Sequence, residues 1–218
     1  MSIELVVFDW DGTLMDSEQK IVGCFDQAFL DLGLAKPPGG AARSTIGLSL
    51  SEAMRVSLPN PTTGLVQALV ERYRYRYRSS VSVNATVLFP GTLPVFEALE
   101  SKQLWLAVAT GKSSAGLKRD LQASGLARYF HSTRCADQAN SKPHPQMLED
   151  IMADLNVDKH NTVMVGDTGF DMEMAKNAGT HAVAVTYGAH SVERLLEFSP
   201  HATLDRLGDL PALLDTFD

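Results

Sequence analysis

The chain has 218 residues, which is enough for one mid-sized domain or for a core with a smaller inserted module. Its 44% hydrophobic and 21% charged residues are typical of a globular protein and exclude a disordered or fibrous one. The net charge of −7 argues against general binding to nucleic acid or to anionic membranes, and no apolar run approaches the ~20 residues that span a bilayer.

The N-terminal run and the cysteines favour a cytoplasmic protein. Ile3–Phe8 is apolar, has no basic stretch before it and is too short for a signal peptide. Cys24 and Cys135 lie far apart and show no CxxC spacing, so we expect two buried thiols in a reducing compartment.

Short apolar runs recur along the chain and predict strands that are buried on both faces of a parallel sheet. These runs are Ile3–Phe8, Leu104–Ala109, Thr162–Val165 and His181–Thr186. Helical patterns lie among them, at Leu93–Ser101, Ser113–Ser124, Pro145–Leu155 and Met172–Ala178. Gly125 and Gly179 follow two of these patterns as C-caps. The alternation predicts an α/β fold with a doubly wound, mostly parallel sheet.

A helical block separates the first two predicted strands. Ser17–Leu34 has the pattern of an amphipathic helix, Ser51–Leu58 and Gly64–Tyr77 also appear helical in pattern, and no strand-like run divides them. A block of roughly 70 residues is too long for a crossover connection. We predict that residues 16–88 form an inserted helical cap, and that residues 1–15 and 89–218 form the catalytic core.

Two carboxylates follow the first predicted strand, in Asp9-Trp10-Asp11-Gly12-Thr13. In an open α/β sheet the binding crevice lies beyond the carboxyl ends of the strands. An extended backbone would place Asp9 and Asp11 on one side and Trp10 on the other. Such a pair can supply a nucleophile, a metal ligand or a proton-transfer group, whereas an Asp/Gly turn without chemistry is the alternative.

Two further carboxylates follow the third predicted strand, in Gly166-Asp167-Thr168-Gly169-Phe170-Asp171. Asp167 and Asp171 should therefore reach the same edge of the sheet. Hard oxygen ligands without His or Cys partners indicate Mg²⁺, and a divalent cation would also allow an acidic protein to bind a phosphate ester.

Groups suited to phosphate binding occur at two more strand ends. Thr110-Gly111-Lys112-Ser113 offers a hydroxyl and backbone N–H groups where a helix begins, which is a natural anion site. Lys142 is a cation on a proline-flanked loop, and a solvated surface lysine is the alternative.

These four segments, in this order, resemble the haloacid dehalogenase superfamily of phosphohydrolases. The first motif is Asp9-Trp10-Asp11-Gly12-Thr13-Leu14, and the others are Thr110, Lys142, and Gly166-Asp167 with Asp171. The cap insertion is similar to that of the subfamily that includes phosphoglycolate phosphatases and β-phosphoglucomutases. The resemblance implies a phosphatase that acts on a small phosphorylated metabolite.

The resemblance also implies the roles of the first motif. Asp9 would attack phosphorus to give an aspartyl phosphate. Asp11 would protonate the leaving oxygen and then deprotonate the hydrolytic water. Asp9, the carbonyl of Asp11 and Asp167 would bind Mg²⁺. Trp10 stands where relatives have a smaller aliphatic residue, and we expect it to pack below the cap hinge.

The remaining motifs would hold the phosphoryl group. Thr110, with backbone amides near Gly111, and Lys142 would bind its oxygens as charge redistributes. Asp171 would orient Lys142 or the water ligands of the metal without binding the metal itself, and direct coordination is the alternative.

Two residues separate subclasses within the resemblance. Family dehalogenases and phosphonate-cleaving relatives lack the second aspartate, so Asp11 argues against both. Thr13, where β-phosphoglucomutases have Val or Ile, favours hydrolysis over transfer of a phosphoryl group between sugar positions. A phosphosugar mutase is the alternative enzyme, and a binding module without turnover is the alternative outside enzymes.

Two arginine-containing segments lie in the predicted cap. Residues 72–78 alternate arginine and tyrosine, and the interpretation is a helix with Tyr73 and Tyr77 packed inward and solvated arginines outside. Arg43 lies between cap helices in a segment that resembles the specificity loop of relatives. Arg43 is predicted to reach a second anionic or polar group of the substrate, and a solvated arginine is the alternative.

Overall fold

The computed structural model describes residues 2–80 and 87–217, so part of the predicted cap, residues 81–86, lies outside the described residues, as do Met1 and Asp218. Its core is a parallel sheet of six strands in the order β5-β4-β1-β6-β7-β8. The strands are β1 (Leu5–Phe8), β4 (Trp105–Thr110), β5 (Ser132–Cys135), β6 (Thr162–Gly166), β7 (His181–Val185) and β8 (Ala202–Leu204). Two further strands, β2 (Met15–Asp16) and β3 (Val87–Leu88), pair antiparallel as a short ribbon.

Helices cover both faces of the sheet, which confirms the predicted doubly wound α/β fold. Val6 and Phe8 of β1 join a cluster with α5 (Thr92–Ser101), α6 (Ser114–Ser124) and α10 (Leu210–Leu214). Leu5 and Val7 of the same strand join a second cluster on the opposite face. That face carries α7 (Gln146–Leu155), α8 (Gly169–Ala178) and α9 (Val192–Leu196). The continuous apolar run of β1 is thus divided residue by residue between two cores.

The edge strands β5 and β8 were not predicted. The sequence of β5 is Ser-Thr-Arg-Cys, and three of its four residues are only partly buried. Strand β8 is three residues long and has one buried residue. Such strands have few apolar neighbours, so they lack the continuous apolar run by which the buried strands were predicted.

The predicted cap contains four helices with a core of their own. They are α1 (Glu18–Asp31), α2 (Ala41–Ser44), α3 (Leu50–Val56) and α4 (Thr63–Ser79). Phe25 and Phe29 of α1 pack with Leu69 of α4 and Met54 of α3 in a cluster separate from the two sheet cores. The ribbon of β2 and β3, which was not predicted, joins this helical block to the sheet domain.

The sheet order places a crevice at the carboxyl end of β1. Strand β1 pairs with β4 on one side and with β6 on the other, where the winding changes direction. Ligands of doubly wound folds bind at this switch point, beyond the carboxyl ends of the strands. Three of the four predicted core motifs lie at the carboxyl ends of strands of this sheet. The fourth, Lys142, lies in the loop after β5.

Candidate active site

Asp9 leaves the carboxyl end of β1 and is 1% exposed. Its backbone N–H donates to the carbonyl of Val165, which continues the pairing of β1 with β6 by one residue. Trp10 turns to the opposite side and packs edge-on against Phe130 in the sheet core. This agrees with the prediction that Trp10 points away from the side of Asp9 and Asp11. Asp9 and Asp11 both line one cavity.

Lys142 joins two of the predicted carboxylates. Its Nζ donates to Asp9 Oδ1 at 2.7 Å and to Asp171 Oδ1 at 2.6 Å, and all three side chains are buried. Burial alone would lower the pKa of Lys142, but the charges of Asp171 and Asp9 hold that pKa above its ordinary value. The lysine is therefore a buried cation whose position is set by two carboxylates, and the solvated alternative is excluded.

The second carboxylate oxygen of Asp171 also accepts hydrogen bonds. Asp171 Oδ2 accepts hydrogen bonds from the backbone N–H and the hydroxyl of Thr168, at 3.0 and 2.7 Å, where α8 begins. Both oxygens of Asp171 thus have partners, which leaves it well placed to orient Lys142. A side chain at Gly166 would meet the carboxyl group of Asp171 at 2.3 Å, so a glycine is needed there.

Asp167 is buried between three loops. Its Oδ1 accepts from the hydroxyl of Thr13 at 2.8 Å, and its Oδ2 accepts from the backbone N–H of Ala189 at 2.7 Å. Gly12, at φ +91°, and Gly188 both lie so close that a Cβ would approach Asp167 to 2.2–2.4 Å. Burial, followed by the charges of Asp9 and Asp171, raises the pKa of Asp167 well above its ordinary value.

These contacts fit a site for a divalent cation. Oxygens of Asp9, Asp167 and Asp171 lie within 4.8 Å of one another. Asp9 Oδ2 is buried and has no hydrogen-bond partner among the described residues. Burial raises the pKa of Asp9 to about 7 despite Lys142. A cation held by Asp9 Oδ2 and Asp167 would supply the missing partner, and an all-oxygen donor set suits Mg²⁺.

Thr110 and Gly111 form the neighbouring wall at the end of β4. Thr110 is 1% exposed, and its hydroxyl oxygen accepts from the backbone N–H of Lys112 at 3.2 Å. Helix α6 begins just beyond, with the hydroxyl of Ser113 accepting from Gly116 N–H. Thr110, Gly111 and Lys112 line the same cavity as Asp9 and Asp11, in the position predicted for anion binding.

Lys112 is a site residue that the sequence reasoning missed. Its Nζ lies 2.7 and 3.0 Å from the two oxygens of Asp11 and 3.2 Å from Asp120. The hydroxyl of Ser17 donates to Asp11 Oδ1 at 2.7 Å. The available signal was the place of Lys112, two residues after Thr110 at the same edge of the sheet as Asp11.

The cap lies directly on the core around this site. The carbonyl oxygens of Leu48 and Gly47 approach Gly111 so closely that a Cβ there would meet them at 2.3 and 2.6 Å. Ser49 N–H donates to Ser141 Oγ at 2.8 Å. The two domains enclose a cavity of about 550 Å³, a size typical of small-molecule sites.

A buried histidine adds a further contact between the domains. His190 Nδ1 accepts from Gly169 N–H at 3.0 Å, so the proton resides on Nε2, which donates to the carbonyl of Ser44 at 3.2 Å. Burial lowers the pKa of His190, in keeping with a neutral ring.

Arg43 is not among the residues that line the cavity. It lies in the short helix α2, where its guanidinium donates to the carbonyl of Gly188 at 3.2 Å and pairs with Glu18 at 3.0 Å. Its assignment to substrate binding stays a prediction, and these contacts suggest instead a link between cap and core.

The arginine–tyrosine run of α4 divides between two environments. Tyr73 and Tyr77 stack on each other, with ring centroids 5.7 Å apart, and both line the cavity. Arg74 and Arg78 are exposed, as the sequence interpretation has it, and they also line the cavity. The sequence could not show that second feature because cap packing fixes the rotation of α4 about its axis.

No helix in the described part of the chain is long and apolar enough to cross a membrane.

Comparison with known proteins gives matches along almost the whole chain. The family described as "Haloacid dehalogenase-like hydrolase" matches residues 6–185. The protein named "Probable phosphatase IndB" from Dickeya dadantii is 39% identical over 209 residues, 94% of this chain and 91% of the relative. A pyrophosphatase, PpaX, of Listeria monocytogenes is 27% identical over 97% of this chain and 96% of its own length.

Solved structures agree with the fold. The crystal structure of a protein described as a predicted phosphoglycolate phosphatase, from Haemophilus somnus, superposes with a TM-score of 0.87. It is 22% identical and covers 98% of both chains. The names of the curated relatives are those of phosphatases, which confirms the predicted class of enzyme.

Proposed function

Since this chain belongs to the haloacid dehalogenase-like hydrolase family, we propose that it is a Mg²⁺-dependent phosphatase that hydrolyses a small phosphomonoester through an aspartyl phosphate on Asp9. The observation that supports the proposal is the environment of Asp9 in the cavity between cap and core. One oxygen accepts a hydrogen bond from Lys142, and the other is buried without a partner among the described residues. An oxygen in that position is available both to a cation and to phosphorus.

The proposed reaction has two displacements. Asp9 attacks phosphorus, a bond forms between its carboxylate oxygen and phosphorus, and the bond to the leaving oxygen breaks while Asp11 donates a proton to that oxygen. A water molecule then attacks the aspartyl phosphate, Asp11 takes its proton, and inorganic phosphate leaves. Asp11 lines the cavity beside Asp9, and Ser17 and Lys112 hold its carboxylate in place.

The other core residues are assigned to the phosphoryl group and its charge. Thr110, the amides near Gly111 and Lys142 bind phosphoryl oxygens in the transition state. Asp171 positions Lys142 by accepting a hydrogen bond from its Nζ at 2.6 Å and supplying a fixed negative charge. Because these groups are already fixed by packing, they need little reorganisation during the reaction.

The proposed cation is Mg²⁺, held by Asp9 Oδ2, the carbonyl of Asp11 and Asp167. Bound there, it would neutralise part of the charge of the carboxylates and of the phosphoryl oxygens. Within residues 2–80 and 87–217 the cluster that could hold a metal consists of carboxylates alone, which favours a hard cation over zinc.

The substrate class follows from the cavity and the relatives. A small phosphorylated metabolite, of the phosphoglycolate kind, fits a cavity of about 550 Å³, whereas nucleic acid and membranes are not expected as partners. The proposed compartment is the cytoplasm, since Cys24 and Cys135 are buried free thiols. Thr13, whose hydroxyl donates to Asp167, favours hydrolysis over the alternative of a phosphosugar mutase.

The test is hydrolysis of an aryl phosphate with Mg²⁺ and with a chelator. We expect phosphate release only with Mg²⁺. In Asp11→Asn the second step should be slowed, so mass spectrometry of the peptide that contains Asp9 should show one added phosphoryl group. A phosphorylated peptide elsewhere, or none in any variant that still turns over, would refute the covalent mechanism, and net transfer between sugar positions without phosphate release would indicate the mutase.

A further inference from the structure

The arginines of α4 form two pairs with different partners. Arg72 and Arg76, one helical turn apart, both pair with Asp31 of α1. Arg74 and Arg78, also one turn apart, line the cavity instead. Neither of these two forms an ion pair with any carboxylate of residues 2–80 or 87–217, although the chain has 26 acidic residues against 19 Lys and Arg.

A third arginine reaches the same cavity from the core. Arg119 of α6 lines the cavity together with Gly111 and Lys112, and it too lacks an ion-pair partner among the described residues. Arg74, Arg78 and Arg119 are exposed at the mouth of the cavity, whereas Asp9 lies buried in its floor. Cap and core thus each contribute exposed guanidinium groups to one cavity, and these groups have no ion-pair partner among the described residues.

Each of the three carboxylates that line this cavity has at least one partner within the protein, although Asp9 Oδ2 has none among the described residues. Asp9 is bonded to Lys142, and Asp11 to Lys112. Asp137, the other carboxylate in the lining, accepts from the backbone N–H and the hydroxyl of Ser114 at 2.8 and 2.7 Å. The mouth of the cavity therefore carries a local excess of positive charge in a protein with a net charge of −7.

We propose that the alcohol released by this enzyme carries a second anionic group, a phosphate or a carboxylate, which Arg74, Arg78 and Arg119 bind while the phosphoryl group to be transferred lies against Asp9. This substrate class rests on the proposed function and names the part of the substrate that distinguishes it. Guanidinium groups match both anions with paired hydrogen bonds. The stacked rings of Tyr73 and Tyr77 line the same cavity.

The experiment uses three phosphomonoesters of a three-carbon alcohol that differ only at the far end: propane-1,3-diol bisphosphate, 3-phosphooxypropanoate and propane-1,3-diol monophosphate. For the wild type we expect kcat/KM to be at least about tenfold higher for an ester with a distal anion than for the ester with a distal hydroxyl. Whether the bisphosphate or the carboxylate is preferred tells which anion the site was built for.

The variants are Arg74→Gln, Arg78→Gln, Arg119→Gln and the double variant of the first two. Each single substitution should lower the ratio of anionic to neutral kcat/KM by about tenfold or less, mainly through KM, and the double variant should lower it further than either of its single substitutions. The matched control is Arg72→Gln, which removes the same charge from the same helix outside the cavity and should leave the ratio unchanged.

A wild-type ratio near one, or a ratio that Arg74→Gln, Arg78→Gln and Arg119→Gln change no more than Arg72→Gln does, would overturn the inference while turnover itself left the proposed function standing. Absence of Mg²⁺-dependent turnover on all three esters and on an aryl phosphate would overturn both.

Discussion

The charged residues in the floor of the cavity are buried and paired, whereas those at its mouth are exposed and form no ion pair among the described residues. In the floor, Asp9, Lys142 and Asp171 are buried and joined by contacts of 2.6–2.7 Å. At the mouth, Arg74, Arg78 and Arg119 are exposed and have no carboxylate partner among the described residues. Buried charges must be paired within the protein because desolvation is costly, whereas exposed charges are stabilised by water and remain available to bind a ligand. This difference is consistent with the proposals that the floor carries out the chemistry and that the mouth selects the substrate.

The largest effect should come from Asp9→Asn, which leaves the shape of the floor and removes its nucleophile. Loss of a nucleophile in other enzymes costs up to about 10⁶-fold in kcat, so we expect at least about a thousandfold loss of Mg²⁺-dependent phosphate release. Asp16→Asn, the same change at an exposed position of β2, is the control. If Asp9→Asn kept more than about a tenth of the activity, Asp9 would not be the nucleophile.

Lys142→Met tests whether Lys142 stabilises the buried carboxylates of the floor. The substitution leaves Asp9 and Asp171 buried without their shared partner, and breaking a buried pair typically costs about 3–5 kcal/mol in free energy of unfolding. Urea denaturation measures the loss, and Lys118→Met on the exposed face of α6 is the control. Adding Asp9→Asn to Lys142→Met should recover part of the stability, since it removes one of the unpaired charges; no recovery would contradict the account of the triad.

A third prediction concerns pH and the metal. The pKa of Asp9 is raised to about 7, so in the metal-free protein its contribution to stability is full below its unfolded pKa of about 4 and is lost as pH rises through 7. Mg²⁺ requires the ionised carboxylate, so its stabilising effect should grow over the same range. The shift in Tm that MgCl₂ causes should therefore be larger at about pH 8 than at about pH 6.

At a hundredfold excess of Mg²⁺ over its Kd, the stabilisation would be about 2.7 kcal/mol. Asp167→Asn should remove most of it, whereas Asp11→Asn, which keeps the carbonyl, should not. Equal losses in the two variants, or a shift in Tm that shrinks as pH rises, would contradict the assigned ligands.

The floor could be predicted from sequence, and physics explains why. Asp9 and Asp167 directly follow strands that are buried on both faces and are therefore continuous apolar runs, and Thr110 is the last residue of another such strand. The carboxyl ends of parallel strands meet at one edge, so the order of motifs along the chain was enough to place these residues together. Lys142 follows β5, whose polar residues hid the strand, but its family motif located it.

The mouth could not be predicted in the same way. That Arg74 and Arg78 face the cavity while Arg72 and Arg76 face Asp31 depends on how α4 packs through Val66 and Leu69 against the cap helices. The helical period of apolar residues identifies a helix, but it does not show which part of the polar face contacts a second domain. The bond from Lys112 to Asp11 joins residues 101 positions apart and has no local pattern either.

Gly111→Ala should separate closure of the cap from chemistry in the floor. A Cβ there would meet the backbone carbonyls of Leu48 and Gly47 at 2.3 and 2.6 Å, so the cap loop must move away. Overpacking of this kind costs about 1–3 kcal/mol. We expect a fall in kcat/KM of about tenfold or more, because misplacement of the cap loosens the substrate. Gly64→Ala, where the Cβ meets nothing within 4 Å, is the control in the cap.

The smallest effect should come from Arg43→Gln, and it is the sharpest test of how the mouth is defined. The resemblance of its segment to a specificity loop predicts that Arg43 reaches a second anionic or polar group, with a solvated arginine as the alternative. If Arg43 bound the distal anion, its loss would cost about 1.5–3 kcal/mol on the anionic ester. In the structure its side chain is 52% exposed, pairs with Glu18 and does not line the cavity. Exposed pairs contribute little, about 0–1 kcal/mol, so we expect kcat/KM to fall no more than severalfold, and equally for anionic and neutral esters. The measurement is kcat/KM on the propanediol esters for Arg43→Gln beside Arg74→Gln. A selective loss on the anionic ester for Arg43→Gln that matched or exceeded the loss for Arg74→Gln would mean that the cap moves to bring Arg43 onto the substrate. Recognition would then belong to α2 and not to α4.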